Sequence, residues 1–275
     1  MESLSRLPIP DAIHFAYPLK TKPVSVTGTK CELNCAHCGG HYLKHMKPLA
    51  EVSGTDGSAS WLVSGGCRPD GGVPLTESID RLAELKQGRR FNMHVGLVDE
   101  KEINSLATIA DCVSFDFVGD NQTIKEVFGN GRTVQDYVDC YAALSRKVRV
   151  MPHICIGLAG GELRGEYKAM ELLGELGVEA LTFIIFIPTR GTRFADRKPP
   201  CLAEVAKLLS DARLKFPSIP LHLGCMRPGG RYREEIDNWA VRIGINTIVN
   251  PTPSAVRLAE KLGLAITRGE ECCVL

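Results

Sequence analysis

The sequence predicts an α/β protein built as a TIM-type (β/α)8 barrel, and three observations predict it. Short runs rich in β-branched residues alternate with longer amphipathic stretches, as strand–helix units around a parallel sheet require. Glycines such as Gly177, Gly244 and Gly263 close several of the amphipathic stretches, where a helix wants a left-handed cap. Eight such units fit within 275 residues, the length that a complete barrel needs.

Taken in order, the strands read as residues 24–29, 60–64, 92–96, 112–117, 148–156, 180–186, 220–223 and 246–249. The helical patterns between and after them cover 75–87, 101–110, 133–145, 165–176, 202–214, 231–242 and 254–262. Residues 1–22 then form an N-terminal extension, 23–263 the barrel and 264–275 a C-terminal tail. An open doubly wound sheet is the competing architecture. It asks for a glycine-rich phosphate turn after the first strand, whereas Thr27-Gly28-Thr29 leads into cysteines.

Composition narrows the function. A chain 44% hydrophobic and 24% charged can bury one large core, and 33 basic against 32 acidic residues leave no bulk attraction for nucleic acid or an anionic membrane. The longest apolar stretch, 180–188, is far short of the roughly 20 residues that span a bilayer. The opening MESLSRLPIP has neither a basic leader nor an apolar core, so a cytoplasmic location is expected.

Eleven cysteines in such a compartment point to metal or catalysis before disulfides. Three stand directly after the first strand, as Cys31-Glu32-Leu33-Asn34-Cys35-Ala36-His37-Cys38, on a loop at the barrel's active-site end. Thiolates are the soft ligands of iron–sulfur clusters, and three of them on one loop hold three corners of a 4Fe–4S cube. The fourth iron stays open, a place for a substrate. A zinc site is the alternative, with His37 or His41 as its fourth ligand.

This cysteine spacing after strand one of a barrel resembles the signature of the radical SAM superfamily. The resemblance implies a 4Fe–4S cluster on Cys31, Cys35 and Cys38. Its open iron chelates the amino and carboxylate groups of S-adenosyl-L-methionine (SAM), and reductive cleavage yields methionine and a 5′-deoxyadenosyl radical. The residue before the third cysteine is commonly aromatic in the family; His37 stands there, expected near the adenine. Ser64-Gly65-Gly66-Cys67 stands where the family has a Gly-Gly-Glu turn whose backbone receives the methionine amino group, with cysteine replacing the acid. The same resemblance implies SAM contacts from His153 and Gly157 after strand five, from Pro188 in the loop after strand six, and from Asp116, expected at a ribose hydroxyl.

The other cysteines separate by position. Cys112, Cys140 and Cys155 read as small core residues, and Cys201 as a helix start. Cys67 and Cys225 each follow a strand beside glycine, and Cys272 and Cys273 lie in the tail, which is expected near the barrel's open end. Together these four are candidate ligands of a second iron–sulfur cluster. Along the whole chain the sequence resembles the biotin synthase-like branch, and within it one component of the two-protein lipoyl synthase. That resemblance implies sulfur insertion into an unactivated C–H of an octanoyl chain, with the auxiliary cluster as sulfur source. The partners implied are an octanoylated carrier protein or lipoyl domain, a paralogous radical SAM protein and a low-potential donor such as ferredoxin or flavodoxin. Readings kept beside it are a one-cluster radical SAM enzyme acting on another small substrate and a non-catalytic iron–sulfur protein. Arg227 and Arg231 are open between a carboxylate contact and a helix surface.

Overall fold

The computed structural model describes residues 9–275, so the reading of the N-terminal extension and leader over residues 1–8 lies outside it. The expected α/β architecture is present: one curved, all-parallel sheet with helices packed outside it. The strands are β1 (Ala12–Ala16), β2 (Thr21–Ser25), β3 (Lys47–Pro48), β4 (Ser60–Ser64), β5 (Arg90–His94), β6 (Cys112–Asp116), β7 (Val150–Ile156), β8 (Leu181–Ile185), β9 (Leu221–Leu223), β10 (Thr247–Val249) and β11 (Ala265–Gly269). The helices are α1 (Ile79–Lys86), α2 (Glu100–Leu106), α3 (Asn121–Val127), α4 (Val134–Ser145), α5 (Glu166–Leu176), α6 (Leu202–Lys215), α7 (Gly230–Ile243) and α8 (Pro253–Lys261).

All eight expected strands are present, and β1, β3 and β11 are additional. β1 and β11 occupy what the sequence presents as an extension and a tail; both are members of the sheet. β1 lies between β10 and β11, while β2 lies between β3 and β4. Only residues 17–20 separate β1 from β2, and the two run in the same sense. Residues 12–25 therefore form one extended path whose first half pairs with β10 and whose second half pairs with β4, joining the two sides of the barrel covalently.

The first strand ends earlier than expected, at Ser25 rather than residue 29. Gly28 takes a left-handed φ of 59°, and the Ser25 hydroxyl donates to its carbonyl at 2.7 Å. That turn stops the ladder and lifts the cysteine loop off the sheet. Helix starts follow ordinary capping chemistry. Asp99 and Glu102 make a reciprocal capping box on α2, and Thr133 and Asp136 another on α4.

Alternation along the strands sorts side chains between two faces. Phe183, Ile185, Leu221, Leu223 and Ile248 belong to the continuous core under the helices. The residues between them face the barrel lumen. Of the two readings of Arg227 the carboxylate contact holds, and the carboxylate is the protein's own. Arg227 is buried and donates to Asp237 on α7 at 2.7 and 3.0 Å, to the Gly224 carbonyl at 2.6 Å and to the Val249 carbonyl at 2.9 Å. This pair fastens the loop after β9 to α7 and to the end of β10.

The tail does not lie at the open, C-terminal end of the strands. Residues 270–275 cross the opposite mouth: Arg90, at the start of β5, donates to the Leu275 carbonyl at 2.9 Å, and the Cys272 N–H donates to Thr21, at the start of β2, at 2.7 Å. Val274, 1% exposed, packs on Cys112, Met151 and Ala180, all at the bottoms of their strands. β11 dictates this course, because pairing beside β1 delivers the chain to the lower edge of β2. Val274→Asp is expected to destabilise the protein by about 3 kcal/mol, read as a lower urea midpoint. An unchanged midpoint would mean that the tail is not seated there.

Candidate functional site

The upper mouth is organised by the cysteine loop that leaves β2. Its path is set by backbone hydrogen bonds: Glu32 N–H donates to the Cys67 carbonyl at 3.0 Å, Ala36 N–H to the Val127 carbonyl at 2.8 Å, and Gly39 N–H to the Cys35 carbonyl at 2.9 Å. Asn34, Gly39 and Gly40 hold left-handed φ values of 47°, 52° and 73°, which curl the loop around its three thiols.

The turn after β4 supports that loop from below. A Cβ on Gly66 would stand 1.9 Å from the Lys30 carbonyl and 2.6 Å from Cys31 Cα, so only glycine permits the contact. The Gly66 N–H donates to Thr27 Oγ1 at 2.7 Å, and the Ser64 hydroxyl to the His94 carbonyl at 3.0 Å. Gly65 packs on Val26 and Thr27.

The loop after β8 braces the cysteine loop from the other side. Tyr42 and Thr189 hydroxyls meet at 3.3 Å, Phe194 N–H donates to the Ala36 carbonyl at 3.0 Å, and a Cβ on Gly39 would touch Thr192 at 3.3 Å. Pro188 belongs to this brace, immediately before Thr189. Gly157, with φ 76°, receives Glu166 on its N–H at 2.8 Å and abuts Pro200. This places Gly157 at the junction with α5.

Inside the mouth, His94 Nε2 and Asp116 Oδ2 pair at 3.2 Å. Burial would raise the Asp116 carboxyl, but the charge and hydrogen bond of His94 outweigh it and hold Asp116 down at about 2. Asp116 keeps Oδ1 buried and without a protein partner, and His37, edge-on to Phe128, does the same with Nδ1. His153 lies beside His94, and its Nδ1 meets the Met151 carbonyl at 3.0 Å, leaving Nε2 for the lumen.

The candidate ligand cysteines fall into two groups. Cys67 stands with the loop cysteines: Cys31 Sγ lies 4.0 Å from the Cys67 carbonyl. Burial, then the charge of Cys31, pushes the Cys67 thiol up to about 12. Burial and three neighbouring thiols push Cys35 up further, and burial raises Cys38 against backbone hydrogen bonds from Tyr42 and Gly40. Sulfurs crowded in this way are disfavoured as bare thiolates; an iron–sulfur cluster supplies the positive charge that settles them. The donor set, the flush seat on Gly66 and the free polar atoms of Asp116 and His37 therefore fit a cluster with a polar cofactor beside it.

Cys225 leaves β9, five strands round the sheet from Cys67. It is exposed at the upper end of β9, whereas the tail thiols lie at the lower mouth. The Asn92 amide lies 3.6 Å from Cys272 Sγ, and a hydrogen bond from Cys273 lowers the Cys272 thiol. Cys112, read as core, lies under the same tail, whereas Cys140 is a core residue of α4. Among the described residues no three His, Cys, Asp or Glu side chains stand close enough to share a single metal ion.

Among solved structures the chain is similar to methylornithine synthase (PylB), at 14% identity and a TM-score of 0.67 over 94% of this chain and 84% of that one. It is similar to Streptococcus suis SuiB bound to S-adenosylmethionine, at 13% identity and 0.57 over 80% and 52% of the two chains. It is similar also to hydroxymethylglutaryl-CoA lyase from Pseudomonas aeruginosa, at 12% and 0.56 over 94% and 89%. Likeness at these identities is likeness of fold. No family model and no curated protein matches the sequence. No helix among the described residues is long and apolar enough to cross a membrane.

Gly66→Ala is expected to displace residues 30–31 and to lose most loop-bound iron after anaerobic reconstitution, with an unchanged far-UV spectrum. Gly229→Ala, at a glycine with φ −83° and nothing within 4 Å of the added carbon, should retain it. Equal iron in the two variants would contradict the seat described.

Proposed function

We propose that the protein is a radical SAM enzyme. The observation that carries the reading is the placement of Cys31, Cys35 and Cys38 on one loop at the C-terminal mouth of a parallel barrel, seated on Gly66. The fold alone does not select this chemistry, since a hydroxymethylglutaryl-CoA lyase shares it. The thiol loop does. When bound, a 4Fe–4S cluster supplies the electron that cleaves SAM to methionine and a 5′-deoxyadenosyl radical.

The chain's own residues hold and shield the reacting groups. Asp116, kept ionised by His94, offers Oδ1 to a ribose hydroxyl, and His37 and His153 border the same space. The Tyr42–Thr189 contact and the loop after β8 close the side of the mouth against water.

The finer reading supported by the sequence resemblance is sulfur insertion into a protein-bound octanoyl chain, as in lipoyl cofactor biosynthesis. It would involve a carrier or lipoyl domain, a paralogous partner and ferredoxin or flavodoxin. In this reading an auxiliary cluster is the sulfur source, and its candidate ligands Cys225, Cys272 and Cys273 are all free thiols. Cys67, grouped with the loop thiols, is not among its ligands in this reading.

Anaerobic reconstitution and iron counting separate these statements. Two four-iron clusters predict about eight irons per chain. The Cys31→Ala, Cys35→Ala, Cys38→Ala triple variant should keep about half and form no 5′-deoxyadenosine under dithionite. The Cys225→Ala, Cys272→Ala, Cys273→Ala triple variant should also keep about half and still form it. SAM cleavage by the first variant would overturn the proposal; full iron in the second would remove the auxiliary cluster.

A further inference from the structure

Below the mouth, one row of lumen side chains differs from the rest. Register pairs Asp116 with His153, His153 with Thr182, Thr182 with His222, and His222 with Thr247. On parallel strands such partners share a face, and theirs is opposite the core residues Phe183, Leu221, Leu223 and Ile248. A Cβ built on Gly224, two residues beyond His222, would stand 3.2 Å from Thr182 Cγ2 and 2.7 Å from Ile184 Cγ2. These side chains therefore lie over the glycine.

Most polar groups elsewhere in the lumen are paired. Ser114 donates to Asn92 at 2.9 Å, Thr21 and Ser60 meet at 2.8 Å, and Ser64 is bonded to the His94 carbonyl. In the row, by contrast, Thr182 Oγ1, His222 Nδ1 and Asp116 Oδ1 are buried with no protein group in hydrogen-bond reach. Thr182 is 0% and His222 7% exposed. Native interiors rarely leave such atoms unmatched, and three in one row of one cavity are aimed at something the row receives.

We infer that Thr182, His222 and His153 form a binding site for an uncharged hydrogen-bonding group of the substrate, of the amide or alcohol class, beside the carbon that reacts. The inference rests on the reading of the mouth as the place where SAM is cleaved, because Thr182 and His222 continue the row that begins at Asp116. Its chemistry selects the class. Burial holds both His153 and His222 neutral, down at about 4, and the one imidazole raised by a carboxylate, His94, is already paired with Asp116. No free cation in the row awaits a carboxylate or phosphate. The alkyl part of an octanoyl chain offers nothing to a hydroxyl and an imidazole, so the row narrows the sulfur-insertion reading to a substrate with a polar group next to the reacting C–H.

The test uses the reconstituted protein, with butyramide as the amide probe and octanoate as the alkyl probe, in anaerobic saturation-transfer NMR. Wild type is expected to bind butyramide, and Thr182→Val and His222→Leu to weaken it about tenfold each. His222→Asn, which keeps a polar atom near Nδ1, should restore it. Thr182→Val should also raise the ligand-free melting temperature by about 2–4 °C, because it removes an unmatched buried hydroxyl. A lowered melting temperature would make Thr182 a structural residue and overturn the inference. So would butyramide binding that is absent from wild type or insensitive to both variants, or octanoate binding as tightly as butyramide. Iron content and SAM cleavage, measured on wild type in parallel, report separately on the mouth: their failure with butyramide binding intact would sink the radical reading and leave the row as a binding site.

Discussion

The contact on which the rest of the molecule depends is the one between the Gly66 turn and the backbone at Lys30 and Cys31. A side chain at residue 66 would occupy the Lys30 carbonyl, so the thiol loop rests directly on the top edge of the sheet. Three features that set the start of the loop converge there: the Gly28 turn that ends β2, the Thr27 hydroxyl that takes the Gly66 N–H, and the Cys67 carbonyl that takes the Glu32 N–H. A three-point metal loop with no such seat would be mobile, and loosely held ligands forfeit much of their affinity to ordering cost.

Below that seat the lumen is stratified. Thiols crown the upper rim, a row that carries unmatched polar atoms crosses the middle, and the tail thiols lie at the lower mouth. Under the proposed function the order matters, because a radical generated at the rim would react with what lies directly under it. The tail, held by β11, by Arg90 and by Val274, closes the lower mouth, so the lumen opens at the end where the cysteine loop stands.

Much of this was legible in the residues. Spacing placed Cys31, Cys35 and Cys38 together on a loop after a strand, and β-branched runs located the strands from β4 to β10 closely, because both signals are local. β1 and β11 were not legible. Ala12–Ala16 and Ala265–Gly269 are five-residue segments with little β-branched character, and what makes them strands is that each completes the other's ladder beside β10. The grouping of cysteines was likewise non-local. Cys67 and Cys225 look alike in sequence, each after a strand and beside glycine, yet they stand on opposite arcs of the barrel. For Arg227 the sequence leaves a carboxylate contact and a helix surface open, and only α7, which brings Asp237 over it, decides for the carboxylate. Thr182 and His222 carry no motif; their signal is the unmatched atom, which exists only once the strands are in register.

The central claim is that the loop thiols hold a cluster whose remaining iron takes the amino and carboxylate groups of SAM. Electron–nuclear double resonance on the reduced protein, with SAM labelled by nitrogen-15 at the amino group and oxygen-17 at the carboxylate, reads that contact directly. The account predicts hyperfine coupling from both labels. A cluster spectrum identical with labelled and unlabelled SAM would contradict it.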